Sequence, residues 1–153
     1  MFQTSLDTPI GTLLIEGTRS SLTTVRIAPA NAPTGKSCAL LNQARRQLRE
    51  YFRGRRAAFD LPLDLSLGTA FQRQVWQVVA AVGLGETITY AEIARRVRRP
   101  AATRAVGRAV ARNPFMIVIP CHRVLSSKGK LTGYAGGLAA KEWLLKHEQA
   151  VLL

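Results

Sequence analysis

Short runs of apolar residues, separated by turn-forming residues, characterise the first thirty positions of the chain. The runs at residues 12–17 and 22–28 are predicted to form strands, with Gly11 and residues 17–21 as turn signals. A small N-terminal α/β lobe with a short antiparallel sheet is therefore expected.

From Ser37 onwards the spacing changes to that of an amphipathic helix. Apolar residues recur every three or four positions, with arginines and a glutamate between them, and Gly54 is expected to end the helix. The apolar face of this predicted helix comprises Leu40, Leu41, Ala44, Leu48, Tyr51 and Phe52.

A change of composition marks the predicted domain boundary. The stretch DLPLDLSLG has the composition of a linker, so we place the boundary at residue 66. The predicted domains are an N-terminal lobe of residues 1–66 and a C-terminal domain of residues 67–153. A helix capped by Thr69 is expected to open the second domain, with an apolar side formed by Phe71, Val75, Trp76 and Val79.

The next segment predicts two short helices joined by a tight turn. Thr89 and Glu92 have the spacing of a capping box, so the first helix should begin at Tyr90 and end before Pro100. Pro100 is expected in the first turn of the second helix, where proline is tolerated. One side of that helix is apolar, with Ala102, Ala105, Val106, Ala109 and Val110. Another carries Arg104, Arg108 and Arg112, and the whole pattern is typical of a helix-turn-helix.

The last third of the chain contains a buried run, a glycine-rich loop and a helix. Residues 115–120 predict a short buried strand that ends at Pro120, and residues 138–148 predict the helix. Its apolar surface is assigned to Leu138, Trp143, Leu144 and Leu145. The predicted fold class is α+β, with the small α/β lobe followed by a mainly helical domain that contains the helix-turn-helix.

The charge of the chain indicates a polyanionic partner. The net charge is +13, and no acidic residue interrupts the arginine-rich segment from residue 95 to residue 112. This segment carries Arg95, Arg96, Arg98, Arg99, Arg104, Arg108 and Arg112. Such clustering favours a nucleic acid over an anionic membrane surface, although a solvated basic surface is the simpler alternative.

Cysteine usage and hydropathy indicate a reduced, cytoplasmic setting. The chain has two cysteines, Cys38 and Cys121, which is too few for the disulfide framework of a small secreted protein. The N-terminus has no basic region followed by an apolar core, and no stretch approaches the length of a membrane span. We expect no membrane partner.

Cys121 allows three interpretations: an inert buried thiol, a metal ligand or a nucleophile. The spacings typical of zinc sites are absent, and adjacent residues such as Cys121 and His122 rarely bind one metal ion. Free cysteine is often buried and inert. However, positive charge from His122 and Arg123 would lower the pKa of the thiol and favour the nucleophilic thiolate.

Three motifs follow one another in the last third of the chain: PCHRV at residues 120–124, GYAGG at 133–137 and KEWLLKHE at 141–148. In their order and spacing they resemble the O6-alkylguanine-DNA alkyltransferases, a family of direct-reversal DNA repair proteins. Further matches are Asn113-Pro114, FQRQVW, residues 87–94 and residues 104–107. The resemblance extends from about residue 69 to residue 148, and it is weak in the N-terminal lobe.

The resemblance implies an irreversible, single-turnover transfer of the alkyl group from O6-alkylguanine to Cys121. His122 would act as a base through a water molecule, and Glu148 would orient it. Asn113 would hold backbone groups near the thiol, and Tyr90 would donate a proton to the departing guanine. O4-alkylthymine is a second candidate substrate.

The resemblance also implies which residues bind the base and the DNA. The pocket for the extruded base would be formed by Tyr90, Val124, Tyr134, Ala135 and Gly136. Arg104 would enter the duplex and fill the space of the extruded base, since a base inside a duplex is out of reach. The remaining contacts to double-stranded DNA would come from Gln72, Tyr90, Ala102, Thr103, Ala105, Gly107 and Ser127.

Binding is expected in the minor groove and without sequence preference, by a monomer that can assemble cooperatively on DNA. No cofactor is needed, because the protein itself accepts the alkyl group. Some members of the family hold zinc in the N-terminal lobe, but this lobe has one cysteine and no histidine, so no metal site is predicted. A lesion sensor without acceptor activity and a transcription regulator are the alternatives, and Cys121 argues against the first.

Overall fold

The computed structural model describes residues 1–29 and 35–150 of the chain. The N-terminal lobe contains a three-stranded antiparallel sheet in the order β1-β2-β3. Its strands are β1 (Phe2–Thr8), β2 (Gly11–Gly17) and β3 (Leu22–Ile27). Leu6 pairs with Leu13, and Ile15 pairs with Val25, so the buried side chains of neighbouring strands lie together on one face.

β2 and β3 are the two strands that the sequence predicts, whereas β1 is not. Polar residues occupy most of β1, and Leu6 is its one buried residue. An edge strand of this kind lacks the hydrophobic alternation that a sequence pattern detects, and it is held by pairing with β2.

The predicted N-terminal helix is confirmed as α1 (Ala39–Phe52), which packs on β1 and β2. It begins two residues after Ser37, and Gly54 follows its end with a φ of 72°. Glycine adopts this left-handed conformation without strain. The residues that α1 buries are Leu41, Ala44, Gln47, Leu48 and Tyr51.

The outer edge of β3 bonds to two later segments of the chain. Leu22 exchanges backbone hydrogen bonds with residues 62 and 64 of the predicted linker. Val25 N–H donates to the Pro114 carbonyl at 2.8 Å, and Met116 N–H donates to the Val25 carbonyl at 2.9 Å. The N-terminal sheet is therefore tied by its backbone to the segment that leads to Cys121.

The helix predicted after Thr69 is α2 (Ala70–Ala80), and the two helices of the predicted helix-turn-helix are α3 (Tyr90–Arg96) and α4 (Thr103–Ala111). Thr69 caps α2 and Thr89 caps α3, as predicted. The boundaries of the turn differ from the prediction. α3 ends at Arg96, and α4 begins at Thr103, so Pro100 precedes the second helix and does not lie in its first turn.

The early end of α3 has a clear backbone cause. Arg98 has a φ of 61°, its N–H bonds to the Arg95 carbonyl, and Arg99 N–H bonds to the Ala94 carbonyl. This is a Schellman motif, which terminates a helix, with arginine in the position where glycine is usual. The prediction relied on Pro100 as the stop signal and missed this motif.

The predicted buried strand at residues 115–120 is wrong, although the segment is buried. Phe115 and Met116 bridge to neighbouring backbone, and the chain then turns, with Ile117 at a φ of 73° and Ile119 N–H bonded to the Phe115 carbonyl. A short apolar run cannot by its composition distinguish a strand from a buried turn.

Two short strands form a second small sheet, and a long helix ends the described chain. β4 (Ile88–Thr89) pairs in parallel with β5 (Val124–Leu125). The predicted C-terminal helix is confirmed as α5 (Leu138–Ala150), but its buried face differs from the prediction. Leu138 is 51% exposed, and the buried residues are Ala140, Lys141, Leu144 and Glu148. Among the described residues, no helix is both long and apolar enough to cross a membrane.

Candidate active site

Cys121 opens a 3₁₀ turn (Cys121–Arg123) and lines a cavity of about 450 Å³. The backbone N–H of Cys121 donates to the Ile119 carbonyl at 2.7 Å, and Arg123 N–H donates to the Pro120 carbonyl. The thiol therefore follows a rigid turn, where the sequence predicts a rigid strand end. The cavity is also lined by Tyr90, Val110, Asn113, Met116, Tyr134 and Ala135.

The thiol is buried, with Cys121 only 7% exposed, and burial raises its pKa above the ordinary value. The Asn113 side chain, the positive charge of Lys141 and the backbone N–H groups of residues 121 and 122 act in the opposite direction. The sequence predicted a lowered pKa from His122 and Arg123. Burial outweighs the neighbouring charges, so the thiol needs a base to give up its proton.

His122 is placed to serve as that base. It is fully buried, and its Nε2 lies 2.6 Å from Oε2 of Glu148. An ionised carboxylate can only accept, so Nε2 carries the hydrogen and Nδ1 keeps a free lone pair. Nδ1 has no hydrogen-bond partner among the described residues. Burial lowers the pKa of His122, partly offset by Glu148, so the imidazole is neutral and can accept a proton.

Glu148 is the centre of a buried charge network. Arg123 donates from Nε to Oε1 at 2.8 Å and from Nη2 to Oε2 at 2.9 Å, and its Nη1 bonds to the Val82 carbonyl. Burial by itself would raise the pKa of Glu148, but hydrogen bonds from His122, Arg123 and Tyr51 hold it at about 2. The carboxylate is therefore ionised at neutral pH.

Sequence reasoning missed two members of this network. Arg123 belongs to the PCHRV motif, but it was interpreted as a charge beside the thiol and not as a partner of Glu148. Tyr51 belongs to α1, and its hydroxyl donates to Oε2 of Glu148 at 2.6 Å. Helical periodicity predicts that Tyr51 is buried, but no sequence signal connects it to a residue at the other end of the chain.

Asn113 holds the turn that precedes the thiol. Its side-chain nitrogen donates to the Ile119 carbonyl at 2.8 Å, and its side-chain oxygen accepts from Phe115 N–H at 2.8 Å. These bonds close the loop of residues 113–119, which leads to Cys121.

Lys141 is a buried residue near the site that was also missed. Its Nζ donates to the carbonyls of Val124 at 2.6 Å and Thr132 at 3.0 Å, which joins β5 to the residue that precedes the glycine-rich loop. A lysine one turn before a buried leucine lies on the same side of a helix. This spacing could have indicated that Lys141 is buried. Leu138 gave a misleading register for the buried face.

Three of the five predicted pocket residues line the cavity beside Cys121, whereas Val124 and Gly136 do not. Tyr90 and Tyr134 line the cavity with Ala135, and the hydroxyl of Tyr90 lies 2.9 Å from Oγ1 of Thr132. Val124 is fully buried. A Cβ on Gly136 would lie 2.9 Å from Cδ1 of Ile27, so only glycine lets the loop approach β3 without displacement.

The predicted DNA-contacting residues other than Tyr90 lie at three separate places in the chain. Thr103 and Arg104 are exposed at the start of α4, with Ala102, Ala105 and Gly107 half-buried beside them. Ser127 is exposed on a separate turn. Gln72 has a local role, because its side-chain oxygen accepts from the backbone N–H of Thr69 at 2.9 Å in the cap of α2.

The arginine-rich segment is less uniform than its sequence indicates. Arg95 and Arg96 both bond to Glu92, an acidic residue that lies just outside the segment. Within residues 1–29 and 35–150, Arg104, Arg108 and Arg112 make no salt bridge. In the same ranges, no group of three or more His, Cys, Asp or Glu residues is arranged to hold a metal ion.

Two family models match this chain. The model described as "6-O-methylguanine DNA methyltransferase, ribonuclease-like domain" matches residues 1–65. The model described as "6-O-methylguanine DNA methyltransferase, DNA binding domain" matches residues 70–150. Together they account for nearly the whole chain.

Curated relatives and solved structures agree with this assignment. The methylated-DNA–protein-cysteine methyltransferase of Methanosarcina barkeri is 45% identical over 157 residues, which cover 97% of this chain and 98% of the relative. The crystal structure of Mycobacterium tuberculosis O6-methylguanine methyltransferase has a TM-score of 0.90 at 39% identity, covering 99% of this chain and 94% of that one. The crystal structure of M. tuberculosis OGT in complex with DNA has a TM-score of 0.90 at 40% identity, and the match covers 98% of this chain and 94% of that one. On these grounds, the chain belongs to the 6-O-methylguanine DNA methyltransferase family.

Proposed function

We propose that this chain repairs alkylated DNA by direct reversal, with Cys121 as the acceptor of the alkyl group. As a member of its family, the chain is a methylated-DNA–protein-cysteine methyltransferase. The observation that carries the assignment of the acceptor is the arrangement of one cavity-lining thiol beside a neutral histidine, whose Nε2 is fixed by a buried carboxylate.

The proposed reaction moves one alkyl group and two protons. The thiol proton passes through a water molecule to Nδ1 of His122, and Sγ of Cys121 attacks the alkyl carbon. A bond forms between Sγ and the alkyl carbon while the bond between that carbon and guanine O6 breaks. The electron pair of the broken bond stays on the guanine. Tyr90 donates a proton to the departing base. The thioether is stable, so each molecule reacts once.

The base must leave the duplex to reach Cys121, because the thiol is buried and lines a cavity. Arg104 is exposed at the first turn of α4, where it can occupy the vacated space. Small residues beside it, including Ala105 and Gly107, would allow close approach to the minor groove. Sequence-independent binding would come from phosphate contacts of Arg108 and Arg112, which are exposed.

Several further assignments remain proposals. The match boundaries at residues 65 and 70 support a division near residue 66. Gln72 and Ser127 are proposed to contact DNA, although the cap of α2 already uses the side-chain oxygen of Gln72. Monomeric binding with cooperative assembly on DNA, activity on O4-alkylthymine and a cytoplasmic location stay predictions from the sequence.

Intact-protein mass spectrometry tests the acceptor. After incubation with a duplex that carries O6-methylguanine, the mass of the protein should increase by one methylene group, located on the peptide that contains Cys121. The Cys121→Ala variant should show no increase but should still bind the duplex. A folded wild-type protein that gains no mass, or gains it on Cys38, would refute the assignment.

A further inference from the structure

Tyr51 connects the N-terminal lobe to the candidate active site. It lies in the last turn of α1 and is 1% exposed, and its hydroxyl donates to Oε2 of Glu148 at 2.6 Å. The two residues are 97 positions apart in the chain. A contact that closes so long a loop and ends on the carboxylate that holds His122 is more specific than ordinary core packing.

The position of Tyr51 is fixed at a second point. Nε2 of His147 lies 2.8 Å from the carbonyl oxygen of Tyr51, so consecutive residues of α5 bond to the backbone and to the side chain of one residue of α1. The His147 ring also packs against the Tyr51 ring, with 5.3 Å between the ring centroids, and stacks on the Trp143 ring, with 4.9 Å between the centroids. The hydroxyl is therefore held against Glu148 and has little freedom to rotate away.

The two carboxylate oxygens of Glu148 accept different numbers of hydrogen bonds. Oε1 accepts from Nε of Arg123. Oε2 accepts from Tyr51, from Nε2 of His122 and from Nη2 of Arg123. Donors to one carboxylate oxygen share its lone pairs and charge, so Tyr51 and His122 compete for the same atom.

We propose that Tyr51 is a positioning residue for alkyl transfer, whose hydroxyl fixes the rotation of the Glu148 carboxylate and limits the negative charge that Oε2 presents to His122. The proposal rests on the proposed function, in which His122 takes the proton of Cys121. A histidine bound too strongly to its carboxylate is protonated at higher pH and is then unavailable as a base. The N-terminal lobe would thus set the pH range of the reaction.

The Tyr51 hydroxyl stays protonated and can act as a donor throughout. Burial, and then the charge of Glu148, raise the pKa of Tyr51 well above its usual range. The other charged groups that face His122 are Arg123 on the 3₁₀ turn and Lys141 on α5. The ring of Tyr134 approaches from the glycine-rich loop at 6.3 Å. Removal of the Tyr51 hydroxyl deletes none of these groups.

The test is the Tyr51→Phe variant, which keeps the ring and removes the hydroxyl. The chain has two histidines, so a His147→Phe variant identifies the NMR signals of His122. Titration of those signals should show the His122 pKa raised in Tyr51→Phe by about 0.5 to 1 unit, the size expected for one hydrogen bond. An unchanged or lower pKa would overturn the proposal.

The rate of alkyl transfer provides the second readout. Because neutral His122 is required, the acidic limb of the pH–rate profile should move to higher pH by the same amount in Tyr51→Phe. At pH values below the His122 pKa, transfer by Tyr51→Phe should be roughly 3- to 10-fold slower than transfer by the wild type. At higher pH the two rates should converge. A rate reduced equally at every pH, or an unmoved profile despite a shifted His122 pKa, would contradict a positioning role.

Phe52→Leu is the matched control. Phe52 is the next residue of α1 and packs on Trp143 at 5.7 Å, as part of the same helix contact. It has no polar group to offer Glu148, so this variant should lose stability but keep the wild-type pH profile. If Phe52→Leu shifts the profile as Tyr51→Phe does, loosened packing explains both, and the proposal fails.

The two proposals fail in different ways. A wild-type protein that transfers no alkyl group to Cys121 would refute the proposed function, whatever the titration of His122 shows. Normal transfer by the wild type with identical His122 titration in Tyr51→Phe would refute only the role of Tyr51.

Discussion

The charges around Glu148 and those on the surface of α4 differ in almost every physical respect. Around Glu148, the carboxylate, His122 and Arg123 are each at most 5% exposed and are joined by hydrogen bonds of 2.6–2.9 Å. On α4, Arg104 and Arg108 are exposed and form no salt bridge within the described residues.

Under the proposed function, the difference follows from the task of each region. Proton transfer needs one fixed geometry, and buried, mutually bonded charges provide it because no water competes for them. Binding to DNA of any sequence needs charges that can follow a variable array of phosphates. Long side chains that remain in solvent serve this purpose, and they retain their charge for the partner.

The comparison predicts that loss of one buried charge costs far more stability than loss of one exposed charge. Glu148→Gln leaves Arg123 without its anion and should lower the free energy of unfolding by roughly 3–5 kcal/mol. Glu142→Gln is the control on the same helix, where the carboxylate is 53% exposed and bonds to Lys146. It should cost less than about 1 kcal/mol. Urea denaturation measures both, and similar losses would show that the network around Glu148 is not specially stabilising.

The buried carboxylate should also govern acid stability. The pKa of Glu148 is about 2 in the folded protein and near 4.5 when unperturbed, so its contribution is present above pH 4.5 and is lost as the pH falls towards 2. The loss over that interval should be roughly 3 kcal/mol. His122, with its lowered pKa, adds a loss in the same direction that starts below its ordinary value of 6.5. Thermal unfolding from pH 7 to pH 2 measures the effect.

Glu92 is the surface carboxylate with which the buried Glu148 is compared in this experiment. Its pKa is also lowered, by hydrogen bonds from Arg95 and Arg96, but it lies at the surface of α3. Glu92→Gln should therefore leave the acid unfolding curve almost unchanged. A curve shifted as far as that of a Glu148 variant would remove the distinction between the two regions.

The exposed arginines should affect activity on duplex DNA without affecting the chemistry. Arg104→Ala should slow transfer from a duplex on the order of 10- to 100-fold, because a few kcal/mol of unstacking are no longer offset. Transfer from free O6-alkylguanine should stay within about 2-fold, since the thiol and its base are unchanged. Arg95→Ala, which breaks only the surface contact to Glu92, is the matched control. Equal slowing on both substrates would argue against insertion of Arg104.

The sequence predicted local structure best where short-range chemistry decides it. The caps at Thr69 and Thr89 and the amphipathic face of α1 depend on residues three or four positions apart, and all are confirmed. The end of α3 depends on the left-handed backbone conformation of Arg98, which the preferences of an arginine side chain do not predict. The buried segment before Cys121 could not be assigned, because apolar composition alone does not determine whether a chain extends or turns.

The candidate site shows the same limit at longer range. The predicted association of Cys121, His122 and Glu148 relied on a family resemblance, and the structure does bring these residues together. Tyr51 and Lys141 had to come from the structure, because their partners are set by how α1 and α5 pack. The predicted low pKa of the thiol was wrong for a physical reason: sequence shows which charges are near, but it does not show burial.

The bonds between β3 and the segment before Cys121 have a consequence for sequence variation. The two parts are held together by backbone groups: the N–H groups of Val25 and Met116 donate to the carbonyls of Pro114 and Val25. Every residue supplies a carbonyl, and every residue except proline supplies an N–H. Side chains at this junction can therefore change between homologues as long as their volume still fits. The location of the acceptor thiol can persist while the identity of the N-terminal lobe drifts, so divergence in that lobe is a poor measure of whether a protein has kept its reaction.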